Sequence, residues 1–437
     1  MCLQLTQRSS GSRFSCADRR LSFRYGAAGS AGLRASGARI GPYRRRGAVL
    51  PFVAICIFMM MAFAMLAIDV GHLYVVKAEL QRTADNAALA GAMQLADAAS
   101  VYGDESVDEK LYRVVDWANH YAGRNPAGGK AIALSAGDTL LGYLSDPYNR
   151  SLSLDTTADP TTFNVVQVTT RRTAASPNGP VGLFFARVFG KETSDLTATA
   201  AAVLDDHFKG IDVPDGTNSP LIPFVIKAER WQDEIVNGNG ADQYSIDPDS
   251  REVQWSSDGI PEVQLYINED IKPKKDKGDE DGDEDNEGAG NYGVLNVGVH
   301  CNAEPIVEDQ ITDGITAEQI YTEFGDYYVD VYNDDGVLLS YPANGNPGIK
   351  AGMKDEFEDR VGDVVGFFVY DELIGGTGNN TVFNIVGIRF GRIMLVDLTG
   401  KDKRVIVQPA PYSSPTIRTD ASAPSTHGMI AKLQLIR

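Results

Sequence analysis

Hydrophobic and polar positions change their rhythm along this chain, and each change predicts a different element. From Ala48 to Ile68 the sequence AVLPFVAICIFMMMAFAMLAI contains no charged residue. As a helix rising ~1.5 Å per residue, this run covers roughly 31 Å, which matches the hydrocarbon core of a bilayer. Ten of its residues are Val, Leu, Ile or Phe, and at about −0.3 to −0.6 kcal/mol each they favour insertion by roughly 3 to 6 kcal/mol. One transmembrane helix is expected over 48–68. From Asp69 the pattern becomes one-sided: Leu73, Val76, Leu80, Ala84, Ala87, Gly91 and Leu95 recur at steps of three or four without a proline. The membrane helix should therefore run on as an amphipathic one. Ala84, Ala87, Ala88 and Gly91 give it a face of small residues that a neighbour can approach closely. That neighbour is either the protein's own sheet or another subunit of an assembly.

Helical spacing returns over Glu105–Tyr121, at Val107, Leu111, Val114, Val115 and Ala118. Phe163–Thr173 and Ser194–Leu204 read as strands, with a short apolar helix expected within GPVGLFFARVFG from Gly179. Past Asp205 the composition turns β-rich. Strands are expected over 262–268, 290–300, 363–371, 381–390, 392–398, 404–409 and 429–436, and a helix over Thr316–Phe324. Short links such as Phe390-Gly391 and Thr399–Lys401 suggest antiparallel hairpins. The expected class is α+β: a transmembrane helix continuing into a long helix on a small sheet (69–204), then a mainly antiparallel β domain (205–437). Within that domain, 272–290 (KPKKDKGDEDGDEDNEGAG) has one apolar residue, Ala289, and reads as a solvated acidic loop.

Charge sets the orientation. The chain carries 40 basic and 59 acidic side chains, but its first 47 residues hold ten Arg, no Lys and one acid, Asp18. Arg44, Arg45 and Arg46 abut one end of the span and Asp69 the other, which assigns the N-terminus to the cytoplasm and the bulk of the chain to the far side. A basic tail suits an anionic inner leaflet, while an exported part so acidic excludes nucleic acid as a partner. Met1–Tyr43 lacks apolar periodicity and is expected to be disordered or an upstream extension, although an Arg- and Ser-rich start also fits a transit peptide. Ala62-Phe63-Ala64 has the form of a signal-peptidase site, but the apolar run continues through Met65, Leu66 and Ile68, which favours an anchor. Beyond the span Cys301 stands alone, so no internal disulfide is available and an inert thiol is expected there.

The succession RRRGAVLPFVAICIFMMMAFAMLAIDVGHLYVVKAELQRTADNAALAGA, Arg44 to Ala92, resembles the N-terminal module of TadG-like proteins of the bacterial Flp pilus (Tad) assembly apparatus. The resemblance rests on Arg-Gly before the span, on Ala67, Asp69, Val70 and Gly71 at its outer end, and on the Leu-Gln-x-x-Ala-Asp-x-Ala-Ala-Leu-Ala-Gly-Ala run from Leu80. It covers about a ninth of the chain. The order of helix and strands to Leu204 continues the likeness and resembles a pilin, whose long N-terminal helix lies half in membrane and half on a sheet. The likeness implies a single-pass inner-membrane protein with a periplasmic bulk. Its implied partners are the lipid bilayer and other pilus-assembly or envelope proteins.

Motifs for chemistry are lacking. His72, His120, His207, His300 and His427 show no H-x-x-x-H or H-E-x-x-H spacing. No G-x-S-x-G elbow occurs, and Gly128-Gly129-Lys130 is followed by Ala131 instead of Ser or Thr, unlike a P-loop. Asp281, Asp283 and Asp285 alternate like the first calcium ligands of an EF-hand, yet position six is Asn286 and position twelve Tyr292, so the turn and bidentate ligand are missing. Many TadG-like proteins carry an Asp-x-Ser-x-Ser metal site, which this chain lacks. The fifth residue after Gly47 is Phe52 and not the Glu of prepilin cleavage, so a retained anchor is expected. No cofactor, metal or catalytic residue is assigned. The expected role is structural; the alternatives are an envelope hydrolase or ligand-binding domain on a generic anchor, and a pilin-like adhesive subunit.

Overall fold

The computed structural model describes residues 49–147, 149, 153–247, 250–266, 292–298, 304–347, 351–375, 381–399 and 404–436. Expectations placed on Arg44, Arg45 and Arg46, on Cys301 and His300, and on the acidic stretch with Asp281, Asp283 and Asp285 lie outside these residues. The described residues divide into two units between Met60 and Met61. The described part of the first is helical from Val49, and its apolar side chains, Leu50 and Phe58 among them, are exposed.

Helix α1 (Val49–Met93) passes into the second unit without a break. From Asp69 onward it buries Asp69, Val76, Leu80, Thr83, Ala84, Ala87, Ala88, Gly91 and Ala92, the stripe that the spacing predicts. After α2 (Ala98–Tyr102) the chain enters α3 (Val107–Arg124), where Ser106 and Glu109 form a reciprocal capping box and satisfy two otherwise orphaned N–H groups. Val114, Ala118 and Ala122 of α3 join the alanines of α1 in one core cluster. Thr83 Oγ1 donates to the Asn125 carbonyl at 2.8 Å and Asn86 to Asn125 Oδ1 at 3.0 Å, fixing the end of α3 to α1.

The sheet for these helices comes from β1 (Thr139–Gly142), β2 (Val165–Arg172) and, after the ribbon of β3 (Val181–Gly182) and β4 (Thr193–Ser194), β5 (Leu196–Asp205). β2 and β5 pair antiparallel along their length, Val165 opposite Val203 and Arg172 opposite Leu196. Alternate residues Val166, Val168, Ala200, Ala202 and Leu204 meet the stripe of α1. GPVGLFFARVFG is not the expected short helix. It forms β3 and a single 3₁₀ turn, Ala186–Phe189, because Gly190 at φ 81° ends the turn in a left-handed conformation that suits glycine.

The rest follows as β6 (Phe208–Asp212), β7 (Leu221–Lys227), α4 (Ala228–Trp231), β8 (Ser245–Ile246), β9 (Val253–Gln254), β10 (Val263–Tyr266), β11 (Tyr292–Leu295), α5 (Glu304–Asp313), α6 (Ala317–Phe324), β12 (Tyr328–Asp330) and β13 (Tyr341–Pro347). Then come α7 (Lys354–Glu358), β14 (Val364–Gly375), β15 (Thr381–Asp397), β16 (Arg404–Pro409), β17 (Tyr412–Ser413), β18 (Ile417–Thr419) and β19 (Ile430–Ile436). Seven strands run β10-β16-β15-β13-β11-β7-β14, and β14 also pairs with β15, so five of them close into a barrel. Along β14, Val365, Phe367 and Val369 enter one core while Phe368 and Tyr370 enter another, the two-residue alternation of a strand buried on both faces.

Two expectations change here. The Phe390-Gly391 link is no hairpin: β15 runs straight through it, pairing with β13 over Thr381–Ile385 and with β16 from Gly391 onward. A Cβ at residue 391 would lie 2.5 Å from Val407 Cγ1, so the glycine serves close packing and not a turn. Pairing is mainly antiparallel, as expected, with β7 lying parallel to β14. Most consequentially, 429–436 does not close the β domain. β19 pairs antiparallel with β5, Lys432 opposite Asp205 through Ile436 opposite Ala201. Its alternate residues serve two cores, Ile430 that of the barrel and Ala431 that of the α1 sheet.

Candidate functional site

The most distinctive constellation lies where the apolar run of α1 ends. Asp69, one residue beyond that run, is 4 % exposed although it is charged, and such burial is costly unless every lone pair finds a donor. The donors come from 115 residues further on. The backbone N–H of Phe184 donates to Oδ1 at 2.7 Å, that of Phe185 to Oδ2 at 3.0 Å and that of Ala186 to Oδ2 at 2.6 Å. Burial pushes this carboxyl up, but the three amides outweigh it and, with His72 nearby, hold it below the usual carboxylate value. The His72 ring lies 4.9 Å from that of Phe184.

The segment so held is the tip of the β3–β4 ribbon. Its base is fixed by Arg172, whose Nε donates to the Gly179 carbonyl at 3.0 Å and Nη1 to that of Ala127 at 2.7 Å, and by Val181 and Leu183, both buried. Beyond that base, Arg187 through Thr193 are exposed. Phe184 is 54 % exposed, Val188 and Phe189 75 % each. The sequence marked Asp69 only as a topology signal; its amide partners were hidden because they lie on a distant ribbon. A usable cue was the density of apolar residues in GLFFARVF between two glycines.

Ala84, Ala87, Ala88 and Gly91 all face the protein's own sheet and α3. A Cβ on Gly91 would lie 3.1 Å from Val166 Cγ1 and 3.2 Å from the Val114 carbonyl. Elsewhere, Arg418 bridges Asp330 (2.7 Å) and Asp212 (3.0 Å) beside Lys209, which pairs with Asp334, around a hollow of about 390 Å³. Two cations here face three carboxylates, and burial pushes the Asp330 carboxyl up against the pull of Arg418. Glu262 is fully buried; burial, with Asp242 and Asp258 nearby, pushes it up to about 7 against the pull of the Gln243 and Tyr244 amides. His207 is raised by its hydrogen bond to Asp205, and His120 sits among Trp117 and Tyr121. Among the described residues no three His, Cys, Asp or Glu side chains are grouped to hold a metal ion.

Among the described residues one helix, beginning at Val49, is long and apolar enough to cross a membrane. No curated protein and no solved structure matches the chain. Two family models do: the Flp pilus-assembly TadE/G-like model over residues 47–94 and the Tad-like Flp pilus-assembly model over residues 78–202. The first takes in the apolar run, Asp69 and the small-residue stripe, the second α3, the β3–β4 ribbon, β1, β2 and most of β5. By these two matches, residues 47–202 of the chain are similar to the TadE/G-like and Tad-like domains of Flp pilus assembly.

Proposed function

We propose that the protein is a membrane-anchored structural component of Flp pilus assembly or an allied secretion apparatus, acting through protein contacts in the envelope and not as an enzyme. The observation that carries this reading is one helix with two characters: exposed and apolar up to Ile68, and buried along one face from Asp69 on. The first half has no use for its side chains except in lipid. The second makes the span the root of a folded body. Residues 69–204 and the β region after them then form the exported bulk, with the N-terminus in the cytoplasm and Arg44–Arg46 retaining it there.

Two measurements test this. A reporter active only in the periplasm, fused after Arg437, should be active in cells, and substituting acids for the three arginines should reduce that activity. Affinity isolation of the full chain from detergent-solubilised membranes should recover other pilus-assembly proteins. Reporter activity confined to the cytoplasm overturns the orientation, and isolation of the chain alone overturns the assembly role.

A further inference from the structure

We infer that the β3–β4 tip, Phe184 to Lys191, is a lipid-contacting foot. It seats Phe184, Val188 and Phe189 in the interfacial layer of the membrane that α1 enters, on the side where the apolar run ends. The inference rests on the anchoring proposed above and adds a second contact with the same bilayer.

Position carries it first. The carboxylate of Asp69 marks where the uncharged run stops, and it is bonded directly to the amides of Phe184, Phe185 and Ala186. The tip is thereby fixed at the level of the span's end, and Val188 and Phe189 follow within one 3₁₀ turn, at ~2 Å of rise per residue. Apolar segments lying in an interface sink about 5 to 10 Å into it, a reach this turn matches. The helix at that level presents the same character to its surroundings: Leu66, Ile68, Val70 and Tyr74 are all exposed.

Composition carries it second. Two phenylalanines and a valine, more than half exposed, stand next to the cations Arg187 and Lys191. Aromatic rings with neighbouring cations are what the headgroup region favours, the rings at the acyl boundary and the cations toward phosphate. Arg187 also donates through Nη2 to the Leu183 carbonyl at 2.7 Å, bracing the turn from within. The Asp69 bonds complete the arrangement. A bare carboxylate beside hydrocarbon demands water, and the tip supplies amides in its place while turning its own apolar side chains outward.

Nitroxide labels read this directly. In a full-length chain with its cysteines replaced, single cysteines are placed at Val188, at Phe58 in the apolar run and at Val337, an exposed residue of the β region. The protein is reconstituted in vesicles of phosphatidylethanolamine and phosphatidylglycerol. Accessibility to oxygen, which concentrates in lipid, is compared with that to a water-soluble nickel complex. The expected result is an oxygen-to-nickel ratio at Val188 several-fold above that at Val337, approaching that at Phe58. A lipid-like Phe58 label with a water-like Val188 label overturns the foot and leaves the anchor standing. A water-like Phe58 label overturns the anchor and the foot with it. A Val188 label shielded from both reagents means that protein covers the tip, which also overturns the proposal.

Discussion

Replacing Ala88 with Leu tests whether the small-residue stripe belongs to the protein's own core. Ala88 is fully buried, in a cluster that joins α1 to Val114, Ala118 and Ala122 of α3 and to Val166, Val168, Ala200 and Ala202 of the sheet. Leucine adds three carbons where helix and sheet already touch, and overpacking of this kind costs about 1 to 3 kcal/mol. The propensity change from Ala to Leu is a few tenths of a kcal/mol at most. Ala78, exposed about three turns earlier in the same helix, supplies the control, because Ala78→Leu alters propensity equally without crowding anything. At ~2 to 4 °C per kcal/mol for a folded region of this size, Ala88→Leu should melt roughly 2 to 12 °C below Ala78→Leu in detergent. Pulse proteolysis of the full chain should show the matching loss. Equal midpoints for the two variants refute the reasoning, and equal midpoints with lost partner recovery move the stripe to an assembly interface.

Three further outcomes follow from the structure. Asp69→Ala removes the acceptor of three amides, so trypsin should cut at Arg187 or Lys191 faster than in the parent chain, and an unchanged rate would dissociate the tip from that carboxylate. Glu262 is held near 7, above its ordinary value, so the folded state binds its proton more tightly than the unfolded one; the stability it confers is full below about 4.5 and is lost as pH rises through about 7. Glu262→Gln should flatten the fall in stability between about pH 4.5 and 7, the window in which this group titrates, and identical slopes in both proteins would refute it. Deleting β19 strips the edge of β5 over Ala201–Asp205 and uncovers Val203 and Leu204, so the α1 sheet should become protease-sensitive and prone to associate; retained protease resistance would show that the strand is dispensable.

Elements whose cause is local were legible in the sequence. The uncharged run, the three-and-four spacing of the stripe and the continuous apolar runs of β14 and β16 each depend on residues within a few positions of one another. Pro223 hid β7, because proline argues against a central strand; only the fold shows that Leu221 to Val225 on β7 span just Gly366 to Phe368 on β14, a bulge where a missing N–H is tolerated. Tyr341–Pro347 reads as a turn by composition and becomes a strand because β11 and β15 flank it with partners. Tertiary structure alone decided that Gly391 continues a strand, that Asp69 finds its donors on a ribbon more than a hundred residues away, and that the last strand returns to the first sheet. The reason is common to all three. A chain's periodicity records which face of an element is apolar, but the partner that covers that face, or satisfies a buried charge on it, is chosen by the whole packed structure.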